Sequence, residues 1–62
     1  MKPVYRVGDI LIATQDGATI PEGSEIEVLK VIPENEGYSY TIKLDNGRTT
    51  TTSERMLQRV VQ

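Results

Sequence analysis

One stretch limits the folds open to this chain more than any other: residues 38–52, YSYTIKLDNGRTTTT. Tyr38, Tyr40, Ile42 and Leu44 fall on one side of a two-residue alternation, and Ser39, Thr41 and Lys43 fall on the other. That is the pattern of a half-buried β-strand. Asp45-Asn46-Gly47 follows at once, and Asn-Gly is the strongest short-range hairpin signal because both residues tolerate positive φ. Arg48 to Thr52 then reads as the return strand, since β-branched Thr suits a pleated surface.

The rest of the chain punctuates in the same way. Met1 to Val7 reads as a short edge strand or ordered lead-in, with Pro3 at its start. Ile10 to Ala13 is a dense apolar quartet, expected as a buried strand. Gln15-Asp16-Gly17 reads as a turn in which Gly17 supplies a left-handed conformation. Ile20-Pro21-Glu22-Gly23 matches a type I turn. Ser24 to Ile32 is the longest strand candidate, and its alternation changes parity partway. Ile26 and Val28 alternate with Glu25 and Glu27, but Leu29 and Val31 occupy the opposite parity. A one-residue slip reverses every side chain, so a β-bulge or sharp bend is expected near Val28–Leu29. Pro33 to Gly37 reads as a polar loop. Ser53 is a good N-cap, with a single helical turn near residues 53–57 and room for one last strand over Leu57 to Val61.

The expected fold is therefore all-β: five to six short antiparallel strands in a small barrel, a single domain over residues 1–62. A chain of this length buries only about 60% of the surface its unfolded form exposes, so its stability margin is thin. It contains no cysteine and no histidine. Disulfides, thiolate metal sites and an ordinary zinc site are excluded with them. Oligomerisation or an unusually regular barrel remains as the source of stability. No apolar run approaches 18 residues, and the start lacks a signal-peptide core, so no membrane contact is expected and the expected compartment is the cytoplasm.

The order of parts, VGDILI, a loop, a long bent strand SEIEVLKVI, a hairpin YTIKLDNGRT, a helical turn SERML and a final strand, resembles an SH3-like barrel over residues 7–61. Eukaryotic SH3 domains carry an ALYDY-type segment and a tryptophan pair for proline-rich peptides, and neither is present here. The aromatic cage of Tudor-like barrels and the glycine pattern of KOW-like barrels are also unmatched. In type, the compact reading frame is similar to small phage or prophage accessory proteins.

Catalysis is not expected. No His or Cys is present to serve as base or thiol nucleophile, and Asp9, Asp16 and Asp45 sit beside turn glycines, where aspartate bonds its own backbone. No cofactor or metal is expected either; the carboxylates lack EF-hand spacing. Glu22, Glu25, Glu27, Glu34 and Glu36 form an acidic strip, either a solvated face that protects an edge strand, or a surface that mimics nucleic-acid phosphate or docks on a basic partner. Tyr38 and Tyr40 share a face, as core packing or as a stacking platform for bases or a peptide. Arg48, Thr50, Thr52, Ser53 and Arg55 belong to the richest local set of donors, either a polar strand with its cap or an anion site.

Charge divides at the hairpin. Residues 1–47 hold four Lys/Arg and eight Asp/Glu, a net −4; residues 48–62 hold three Arg and Glu54, a net +2. Overall the net charge is −2. That balance disfavours general nucleic-acid binding, which needs a basic face for phosphates. The expectation is a non-enzymatic binding or regulatory module acting through a protein partner or homo-oligomer. Its contact surface is expected over residues 45–55 with Tyr38 and Tyr40. The alternative is an oligomer that sequesters a nucleotide or other phosphate-bearing small molecule around Arg48, Arg55 and the Thr hydroxyls. Nucleic-acid binding through a barrel face stands third.

Overall fold

The computed structural model describes residues 2–62, so Met1, the first residue of the expected lead-in, lies outside the described residues. Four strands, β1 (Ile10–Ile12), β2 (Glu25–Glu34), β3 (Gly37–Leu44) and β4 (Thr49–Ser53), precede one helix, α1 (Glu54–Val61). The strands form one antiparallel sheet in the order β1-β2-β3-β4. The fold is mostly β, as expected, but the sheet is not closed into a barrel and has four strands among the described residues instead of five or six.

The central hairpin forms as the alternation requires. Tyr40 pairs with Thr52 and Ile42 with Thr50. Gly47 has φ +87°, and the Leu44 N–H donates to the Arg48 carbonyl across the turn. The parity change in β2 is a β-bulge: Val28 pairs with Ile42, Leu29 is skipped, and Lys30 pairs with Thr41. The bulge keeps Ile26 and Val28 on the inner face and returns Val31 to it opposite buried Tyr40.

Several local expectations are corrected. The segment Pro33–Gly37 is not an irregular loop; β2 runs through Pro33 and Glu34, which pair with Tyr38 and Gly37 around a tight turn at Asn35-Glu36. Pro33 is tolerated because β1 pairs only with residues 25–27, so this part of β2 behaves as an edge. Residues Val4–Val7 form no strand. The second turn lies one residue later than expected: the Ser24 N–H donates to the Pro21 carbonyl, and Gly23, third in that turn, has φ +89° as a type II turn demands. Gly17 is not left-handed. Its value is space, since a Cβ there would stand 2.9 Å from Cγ2 of Val60.

The largest correction is at the C-terminus, where the expected strand over Leu57–Val61 is helix. Leu57 and Val60 are buried, and Met56 and Val61 pack against the same core, a spacing of one, three and one that fits a helical stripe. Strand alternation would have split Leu57 from Val60. Ser53 caps the helix, its Oγ accepting the Met56 N–H. At the other end, Thr14 donates its N–H and hydroxyl to the Val60 carbonyl, its hydroxyl also reaches the Gln62 carbonyl, and the Gln15 amide reaches that of Arg59. These bonds satisfy carbonyls that a helix end leaves without partners. They also tie the loop after β1 to α1. The core beneath is a single cluster running from Tyr5 to Val60, with Tyr40, Ile42, Ile26, Val28 and Leu57 fully enclosed.

Candidate interaction surface

The expected site residues do not assemble into one patch. Tyr40 is fully buried. Its ring packs edge-to-face on Tyr5, with centroids 5.4 Å apart at 74°. Its hydroxyl donates to Glu54 Oε2 at 2.5 Å and accepts the N–H groups of Val4 and Tyr5 at 3.1 and 3.3 Å. The Val4 N–H also reaches Glu54 Oε2 at 3.0 Å. Burial raises the Tyr40 pKa, aided by the bond to Glu54 and opposed by the two backbone donors. Tyr5 is raised likewise, by burial and then by the Glu54 charge. Tyr40 thus fastens the lead-in to β3 and to the start of α1, and offers no face for stacking. Tyr38 is half-buried against the same core.

Thr50 and Thr52 pair with buried Ile42 and Tyr40, so their side chains share the inner face and are half-buried. Ser53 spends its hydroxyl on the helix cap. Arg48 and Arg55 are exposed, but they lie at opposite ends of β4. Five strand steps set Arg48 about 17 Å from Ser53, and Arg55 lies beyond Ser53. Within one chain they do not converge on a single phosphate. Two concavities are open depressions, one of about 420 Å³ walled by Glu25, Glu27, Lys43 and Asp45, the other of about 440 Å³ over the Pro33–Tyr38 turn.

The opposite, outer face of the sheet carries a different set. Ile10 and Ile12, expected in a buried strand, are 54% and 52% exposed, and nearby Val7 is 64% exposed. They pair with Glu27 and Glu25, whose neighbours Ile26 and Val28 point inward. A row therefore crosses the outer face from Ile10 through Glu27 and Lys43 to Thr49. β1 is an edge strand, with β2 as its only strand neighbour among the described residues. Sequence reading missed Ile10 and Ile12 because a short apolar run looks the same whether one face or both are covered. The usable signal was that a sheet with core on a single side cannot bury three consecutive apolar residues.

Backbone parity settles which way the edge points. The Val28 N–H donates to the Asp9 carbonyl and the Ala13 N–H to the Ser24 carbonyl. In an antiparallel pair such bonded positions alternate, so residues 9, 11 and 13 face β2 while the N–H and C=O groups of Ile10 and Ile12 face outward.

Residues 7–28, which hold β1 and the half of β2 paired with it, contain Asp9, Asp16, Glu22, Glu25 and Glu27 and no Lys or Arg. Asp45 joins this side, accepting the Glu25 N–H at 3.3 Å. Among the described residues no helix is long and apolar enough to cross a membrane. Compared with protein-family models, curated proteins and solved structures, the chain has no significant match.

Proposed function

We propose that this chain is a non-enzymatic binding module that acts through a protein partner, as a small accessory or regulatory protein of the kind phages carry. The observation that carries this reading is the pair Ile10 and Ile12, each more than half exposed on an edge strand. Exposed apolar edges favour uncontrolled pairing and are normally blunted with charge or proline. An edge that keeps two isoleucines in a marginally sized domain is best accounted for by a partner that covers them. The strand order through the β3–β4 hairpin is compatible with the SH3-like resemblance and with a binding role, although the final strand of such a barrel is helix here. On this reading the contact lies on the β1 side of the sheet, with Asp45 at its margin and residues 48–55 outside it.

The test is reconstitution. A protein captured from host extract is purified and titrated onto the chain, in parallel with a thermal-shift screen of nucleotides and short oligonucleotides. Saturable binding to the protein, with no shift from nucleotides, supports the module. Stabilisation by a nucleotide, without a reconstituted protein complex, refutes it.

A further inference from the structure

We infer that the free edge of β1 accepts an extended segment of a partner protein as a fifth strand, and that this segment alternates Lys or Arg with apolar residues. The inference rests on the binding-module reading and adds the surface and the chemistry of the partner. The outward N–H and C=O groups of Ile10 and Ile12 offer four main-chain bonds, spaced two residues apart as an incoming strand requires. Because β1 is only three residues long, those four groups fix the register without templating indefinite stacking.

Charge selects the occupant. An added strand would lie about 10 Å, two interstrand spacings, from Glu25 and Glu27. Lys and Arg side chains on the outer face of that strand would lay their aliphatic stems over Ile10 and Ile12 and carry their cations toward those carboxylates. Glu27 lies opposite Lys43 in the register, whereas Glu25 stands beside Asp45, so that end of the row concentrates negative charge. Apolar residues of the partner, alternating with the basic ones, would fall on the inner side next to half-buried Leu11. A second copy of the chain presenting its own β1 would instead set the Glu25 and Glu27 carboxylates of the two chains about 14 Å apart, three interstrand spacings, with no cation between them, so self-pairing gains nothing from charge where a basic strand does.

The probe is a synthetic peptide of alternating Lys and Val, titrated onto the isotopically labelled 62-residue chain and followed by amide shifts. Binding should perturb the Ile10 and Ile12 amides first. It should weaken about tenfold or more in Ile10→Ser/Ile12→Ser, and by several-fold on raising salt to about 0.5 M. Both isoleucines are just over half exposed, so the variant should still fold cooperatively, with a urea midpoint lowered only by the loss of strand propensity. A peptide N-methylated along its bonding edge should not bind, which tests the strand geometry without altering the protein. Equal binding by a Glu-Val peptide, or perturbation centred on residues 45–55, would overturn the inference while leaving protein binding in place. A concentration-dependent dimer abolished by the double substitution would overturn it in favour of self-pairing. Stabilisation by a nucleotide in the thermal-shift screen above, without a reconstituted protein complex, would instead remove the reading on which it rests.

Discussion

The Tyr40 hydroxyl bonds the Glu54 carboxylate, joining the middle of β3 to the first residue of α1. The same hydroxyl takes the N–H groups of Val4 and Tyr5, so one oxygen holds three segments. Tyr40→Phe keeps the ring and removes that oxygen. We expect a loss of about 1–2 kcal/mol, the cost of leaving the buried Tyr5 N–H without an acceptor and Glu54 without the hydroxyl donor, while the Val4 N–H keeps Glu54. For a domain this small that is a fall in Tm of roughly 8–15 °C. Glu54→Gln should be milder, and the double variant should show coupling of at least about 0.5 kcal/mol. Additive losses would mean that the two groups act separately.

Alkaline pH should unfold the chain through the same groups. The folded pKa values of Tyr5 and Tyr40 are raised above 10.0, so their neutral forms favour the folded state. That stability is fully present below the unfolded value and is lost as pH rises through the folded values. The urea midpoint should be insensitive to these tyrosines up to about pH 9 and fall above about pH 10. Phenolate absorbance should rise together with unfolding. Tyr40→Phe should flatten the decline, and an unchanged decline in that variant would contradict this assignment.

Ser53 ends β4 and caps α1 with one side chain. Ser53→Ala should cost about 1 kcal/mol, and Ser53→Asp should retain most of the stability because a carboxylate both caps and complements the helix dipole. Equal melting of Ser53→Ala and wild type would remove the cap from the account.

Gly17 makes room for Val60. Gly17→Ala should destabilise by about 1–3 kcal/mol through the clash with Cγ2. The diagnostic is non-additivity: in a Val60→Ala background the same change should cost much less. A cost that persists there would point to the backbone of the loop.

The hairpin, the bulge and the Ser53 cap were legible in the sequence because each has a local cause: Asn46-Gly47, the parity change at Leu29, and a short hydroxyl before Glu54. What failed depended on partners distant in the chain. Leu57 and Val60 read as strand until Thr14 and the sheet supply the surface that a helical stripe covers. Pro33 read as a loop because Pro is barred from paired strands, and only the shortness of β1 frees that stretch of β2. The placement of the candidate site residues was the least legible. Tyr40 and Thr52 share the inner face, so their chemistry is spent on folding, while Ile10 and Ile12 looked like core until a one-sided sheet left them outside.

Hydrogen exchange at β1 tests the central claim most directly. In the free protein the Ile10 and Ile12 amides should exchange rapidly while the Leu11 amide between them, bonded to β2, is protected. Saturation with the alternating Lys-Val peptide should slow Ile10 and Ile12 by about tenfold or more and leave the residue 49–53 amides unchanged. Protection of both amides in the free protein, or no slowing on peptide saturation, would contradict an open edge that accepts a strand.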